Sequence, residues 1–62
     1  MAICLKVTGS DGCTYIEQQE GELVVLRNEK AARNYIASRD RLANAVKVEH
    51  ITEQEARQTL EG

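Results

Sequence analysis

With 62 residues and a formal net charge of −2, the chain is expected to form one domain near the lower size limit for autonomous folding, because so small a body buries only about 60% of its unfolded surface. A hydrophobic content of 42% and a charged content of 29% exclude wholesale disorder. Trp, Phe and Pro are absent and Tyr occurs twice, so Leu, Ile, Val and Ala must build a thin interior that oligomerisation would support.

The longest aliphatic run, Leu23-Val24-Val25-Leu26, falls far short of the ~20 residues that span a bilayer. The start Met1-Ala2-Ile3-Cys4-Leu5-Lys6 lacks the basic segment, long apolar stretch and cleavage site of a signal peptide. A cytoplasmic location is therefore expected, with Cys4 and Cys13 as free thiols in a reducing compartment. Charge is distributed in three blocks. Residues 1–25 set Lys6 against Asp11, Glu17, Glu20 and Glu22. Residues 26–47 set Arg27, Lys30, Arg33, Arg39, Arg41 and Lys47 against Glu29 and Asp40. Residues 48–62 set Arg57 against Glu49, Glu53, Glu55 and Glu61. Such blocks serve either internal charge complementarity or the steering of a charged partner.

In chain order, Ile3 to Thr8 alternates strictly, with Ile3, Leu5 and Val7 on one face, the period of a half-buried strand. Gly9-Ser10-Asp11-Gly12 supplies turn chemistry, and a second strand should run from Cys13 to Gln18. A two-residue Asp11-Gly12 loop would set Lys6 opposite Glu17 and Val7 opposite Ile16; a four-residue loop keeps the same faces. Either choice puts Cys4 and Cys13 on one face but ~13 Å apart at ~3.3 Å per residue, too far for a disulfide. Glu20-Gly21 marks a further reversal, and Glu22 to Arg27 reads as a third strand. Because Leu23 to Leu26 do not alternate, both of its faces call for burial. One face gathers Leu23 and Val25 with Ile16, Leu5 and Val7. The other gathers Val24, Leu26, Tyr15, Cys13 and Cys4.

Asn28 is a good N-cap and Glu29 suits the positive end of a helix, so a helix should start at Glu29. Its apolar side holds Ala32, Tyr35, Ile36, Leu42, Ala43 and Val46, with Lys30, Arg33, Ala37, Arg41 and Asn44 opposite. Arg39 lands inside the apolar stripe. Either the helix ends or becomes irregular between 38 and 45, or it continues to Asn44 with Arg39 snorkelling. Ala45 to Ile51 alternates with β-branched residues and reads as a fourth strand. Thr52-Glu53-Gln54-Glu55 is a capping box for a short helix over 53–61, with Ala56 and Leu60 on one face and Glu53 four residues before Arg57.

The expected fold class is α+β in the order β-β-β-α-β-α, a hairpin-rich antiparallel sheet with the main helix packed on one face and a short C-terminal helix. Strands three and four, joined through the main helix, should run parallel if they share a sheet. The second sheet face needs a cover. The C-terminal helix could supply it through Ala56 and Leu60, or another chain could, and a homodimer would also relieve the thin core.

No residue pattern signals a reaction, so no catalytic, metal or cofactor site is assigned. His50 is the only histidine and has Glu49 as its only acidic neighbour in sequence. Two separated thiols and one imidazole do not give zinc-ligand spacing. Gly9 to Gly12 leads into a hairpin and lacks the Lys-Ser/Thr of a phosphate loop. Non-enzymatic binding of a macromolecule is the expected role, and three sets of residues are candidates. The apolar sheet face offers Tyr15, Val24, Leu26 and Cys13. The basic segment offers Arg27, Lys30, Arg33, Arg39 and Arg41, the basis of an alternative reading as a small nucleic-acid-binding regulator, although only Tyr15 and Tyr35 could stack on bases. Glu17, Glu20 and Glu22 form an acidic patch suited to a basic partner.

The strand–turn–helix "LVVLRNEKAARNYI" followed by the strand "VKVEHI" resembles the small accessory proteins of phages and mobile elements, anti-CRISPR and related host-defence inhibitors among them. The resemblance is architectural and carries over no site residue. It implies steric occlusion of a host protein complex, in the host cytoplasm, with no membrane partner. A homodimeric bacterial protein is the remaining alternative.

Overall fold

In the computed structural model, which describes residues 2–62, the chain is a mixed α+β fold. Strand β1 (Ile3–Thr8) is central, between β2 (Thr14–Ile16) and β5 (Lys47–Thr52), and both neighbours run antiparallel to it. A short hairpin, β3 (Gln18–Gln19) and β4 (Glu22–Leu23), buds from the sheet before the chain returns to it. Leu26 re-enters by exchanging both backbone hydrogen bonds with Ile3, at 2.7 and 2.8 Å. Helix α1 (Glu29–Ala37), a single turn α2 (Asp40–Ala43) and helix α3 (Glu53–Glu61) complete the chain.

Alternate residues of β1 point to opposite faces of the sheet, and both faces are covered. Ile3, Leu5 and Val7 pack with Ala32 of α1 and Leu42 of α2, with Leu26, Tyr35, Ile36, Ala45 and Val48 around them. Cys4 packs with Ile16 and with Ala56 of α3, flanked by Leu23 and Ile51. The sheet is thus sandwiched between α1/α2 and α3. Leu5, Val7, Cys4 and Ala56 have no exposed surface, and full burial of one Leu or Val side chain stabilises by about 1.5–3 kcal/mol.

Local signals explain the helix boundaries. Asn28 is extended at the N-cap and its Oδ1 accepts from the Ala31 amide at 2.8 Å. Thr52 Oγ1 accepts from the Glu55 amide at 3.1 Å. The expected return bond of the capping box does not form; Glu55 Oε1 lies 3.5 Å from Thr52 Oγ1 instead. Glu53 and Arg57 make the anticipated helical ion pair at 2.6 Å. Helix α1 stops at Ala37, Ser38 is its C-cap, and Arg39 is extended. The break settles where Arg39 goes: its guanidinium lies over the Tyr35 ring, 4.7 Å from the centroid.

The first hairpin differs from the expected register by one residue. Lys6 faces Ile16, Val7 faces Tyr15 and Thr8 faces Thr14. The Gly9 amide bonds to Cys13 O at 2.9 Å and the Gly12 amide to Gly9 O at 3.0 Å, leaving a three-residue loop over 10–12. Gly12 has φ +85°, as the left-handed residue after a type I turn requires. Asp11 Oδ1 secures the loop by accepting from the Cys13 amide at 3.0 Å, and the hydrogen bonding from Cys13 holds its carboxyl below the usual range. A one-residue slip moves a whole strand to the other face. Ile16 therefore joins Cys4 under α3, whereas Glu17 goes to the α1/α2 side. Leu26 likewise packs with Leu5 and Val7, and Leu23 with Cys4, the reverse of the expected grouping.

The expected third strand over 22–27 is also shorter than anticipated. Only Glu22–Leu23 is strand, and Leu26 makes an isolated bridge. Leu26 and β5 lie on opposite sides of β1, each antiparallel to it. They therefore run parallel with one strand between them.

Candidate functional site

Among the described residues Glu17 is the only buried charged side chain, at 1% exposure. Its backbone marks the fork at which the hairpin leaves the sheet: the Glu17 amide donates to Leu5 O at 2.9 Å and its carbonyl accepts from Val24 at 3.3 Å. The carboxylate is fully engaged. Tyr35 Oη donates to Oε2 at 2.8 Å, and Arg41 Nη2 donates to Oε1 and Oε2 at 3.0 and 2.9 Å. Arg41 Nη1 also donates to the Tyr15 hydroxyl.

Tyr15, Glu17, Tyr35, Arg39 and Arg41 thus form one cluster that ties β2 to α1 and α2. Its electrostatics follow from the contacts. Burial raises the Tyr35 pKa and the Glu17 carboxylate adds to this, while Arg39 partly opposes it. The hydrogen bond to Glu17, followed by that to Tyr15, pushes the Arg41 guanidinium further above its ordinary value. This cluster presents no free acid, base or nucleophile to solvent. Its chemistry is that of an internal lock in which Arg41 neutralises the buried Glu17 carboxylate and Arg39 rests on the Tyr35 ring.

The hairpin beside the cluster is different. Its two-residue loop, Glu20-Gly21, has φ +54° and +81°, the type I′ pattern for which Asn-Gly is preferred. A non-glycine residue in that region is strained by about 1–2 kcal/mol, and here the strained residue is an exposed glutamate. Between the hairpin and α1 runs a groove of about 380 Å³ lined by Gln19, Glu20, Glu22, Leu23, Val24, Val25, Leu26 and Tyr35. Val25 is 42% exposed there.

The sequence-derived candidate sets are partly regrouped. From the apolar set, Val24 and Leu26 line this groove, Tyr15 lies in the charge cluster, and Cys13 is exposed at the first hairpin loop. From the acidic set, Glu20 and Glu22 rim the groove while Glu17 is internal. From the basic set, Arg27, Lys30 and Arg33 are exposed, whereas Arg41 is paired with Glu17 and Arg39 stacks on Tyr35. Sequence reasoning missed Val25 and Tyr35 as groove residues, and it missed the role of Glu17. Two signals pointed towards the cluster: Arg39 interrupting an apolar stripe, and a tyrosine and a glutamate two residues apart on one strand.

Cys4 is buried and Cys13 exposed, both free; burial, with Glu53 nearby, pushes the Cys4 thiol up. His50 is exposed on β5. Among the described residues no three His, Cys, Asp or Glu side chains stand close enough to share a metal ion, and no helix is long and apolar enough to cross a membrane.

Fold and site together define a layered α+β domain with an internal ion-paired cluster and an open groove that mixes aliphatic side chains with carboxylates. Compared with protein-family models, curated proteins and solved structures, the chain has no significant match.

Proposed function

We propose that this chain is a non-enzymatic protein-binding inhibitor or adaptor that acts by steric occlusion, docking through the groove beside the β3–β4 hairpin. One observation carries the reading: the groove unites the exposed side chain of Val25 and the half-buried Val24 and Leu26 with the carboxylates of Glu20 and Glu22. An apolar floor with an acidic rim suits a protein partner that offers an apolar anchor flanked by Lys or Arg. The strained backbone at Glu20 supports it, because Asn would satisfy the turn better, and what the glutamate adds is an outward carboxylate.

The partner class is a host complex, and the resemblance to anti-CRISPR and related inhibitors makes a defence complex the particular proposal. The nucleic-acid alternative is weaker by comparison, since two of the five proposed arginines and lysines are occupied inside the protein.

The test is affinity capture from nuclease-treated host lysate with the native chain, with Val25→Asp/Glu22→Lys and with Arg33→Glu. A stoichiometric protein held by the native chain and by Arg33→Glu, but lost by the groove variant, is the expected result. A partner retained by the groove variant, or one released by nuclease, would overturn the proposal.

A further inference from the structure

Strand β5 is a sheet edge six residues long: it pairs with β1 only. Its orientation follows from the bonds on the far side of β1. Ile3 exchanges both backbone bonds with Leu26, and Leu5 O accepts from Glu17. The odd residues of β1 therefore direct their amides and carbonyls away from β5, and the even residues direct theirs towards it. Lys47, Glu49 and Ile51 face Thr8, Lys6 and Cys4 and are the hydrogen-bonded partners of β1. By the same alternation Val48 and His50 aim their backbone groups out of the sheet, where β5 has no second neighbouring strand, while Thr52 at the strand's end is the N-cap of α3. An unprotected edge of this kind is a template for another strand.

We propose that β5 pairs antiparallel with β5 of a second copy of this chain, about a two-fold axis through Val48. The charge pattern selects the occupant and the register. A two-fold normal to the sheet pairs residues of one face with the same face, so the axis must pass through a residue. Centred on Val48, Lys47 of each copy lies opposite Glu49 of the other, twice over, and Val48 lies opposite Val48. Centred on Glu49, the two carboxylates would oppose each other, and centred on His50 no opposite charges meet.

In the Val48 register the two Val48 residues exchange their outward backbone bonds. The Lys47–Glu49 pairs then fall at the non-hydrogen-bonded positions, where cross-strand side chains are closest. Lys47 and Glu49 are 63% and 42% exposed in the single chain, and the long 3.8 Å ion pair they make with each other exchanges for the two pairs across the interface. Val46, 70% exposed, lies just before β5 with its amide turned inward to Thr8 O at 2.9 Å, so the outward-facing backbone groups of this edge begin at Val48. The result is a continuous six-stranded sheet, β2-β1-β5-β5-β1-β2, a larger body for a thin-cored chain. This interface is separate from the hairpin groove and does not depend on its having a partner.

Sedimentation of the native chain from about 10 µM to 1 mM, with Lys47→Glu, Glu49→Lys and an equimolar mixture of the two, tests the register; circular dichroism verifies that each variant is folded. The native chain is expected to dimerise. Each reversal sets like charges opposite one another at both positions and should weaken the dimer about tenfold or more. The mixture should restore it, because a chain with carboxylates at both positions then meets a chain with ammonium groups at both. A native chain that stays monomeric, a dimer indifferent to either reversal, or a mixture that fails to recover would each overturn the proposal.

Discussion

Replacing Arg41 with Met leaves the buried Glu17 carboxylate with the Tyr35 bond alone, where three side-chain hydrogen bonds stood. Breaking a wholly buried ion pair by removing one partner costs about 3–5 kcal/mol, and an exposed pair contributes at most about 1. Glu17 is 2% exposed and Arg41 52% by side chain, so water can replace part of the lost contact, and a loss of about 2–3 kcal/mol is expected. In a domain of this size that lowers Tm by roughly 10–20 °C. The assay is urea unfolding followed by far-ultraviolet circular dichroism, with Arg33→Met as control, expected within about 0.5 kcal/mol of the native chain. Adding Glu17→Leu to Arg41→Met should recover part of the loss, because it removes the stranded charge. A loss below about 0.5 kcal/mol for Arg41→Met, with no coupling between the two sites, would refute the cluster's role as an internal lock.

Tyr35 contributes a pH dependence of known sign. Its folded pKa lies above its ordinary value, so its contribution to stability is complete below about pH 10 and is lost as pH rises through the folded titration. Tyr35→Phe should flatten that alkaline limb of the stability curve relative to the native chain, as measured by urea unfolding between pH 7 and 11. In the native protein iodoacetamide should modify Cys13 rapidly and Cys4 only after denaturation, a difference that mass spectrometry resolves; equal rates would contradict the placement of Cys4 beneath α3. Glu20→Asn should raise stability by about 0.5–1 kcal/mol in the same unfolding assay, by relieving the left-handed strain at the hairpin tip.

What the sequence made legible was local. Asn28 and Thr52 announced the starts of α1 and α3, and Arg39 announced an irregularity where α1 ends at Ala37. The register of the first hairpin was not legible, because Gly9-Ser10-Asp11-Gly12 accommodates loops of two, three or four residues. What distinguishes the three-residue loop is that it turns Glu17 towards Tyr35 and Arg41, partners 18 and 24 positions away. No local pattern reports such contacts. The aliphatic run 23–26 misled for a related reason. It reads as one strand buried on both faces, yet Leu23 and Leu26 serve opposite faces of the sheet while Val24 and Val25 line an open groove. Of the candidate site, the carboxylates of Glu20 and Glu22 and the side chains of Val24 and Leu26 were identified as separate patches, and only the fold of the hairpin joins them.

The most direct test of the proposed docking role is a ¹⁵N–¹H correlation spectrum of the labelled chain, recorded alone and with the purified protein captured from host lysate. Shift changes and broadening concentrated at residues 19–26 and Tyr35, with the exposed face of α1 at Lys30 and Arg33 unmoved, are the predicted result. Perturbations centred on Arg27, Lys30 and Arg33 that spare the hairpin would contradict it.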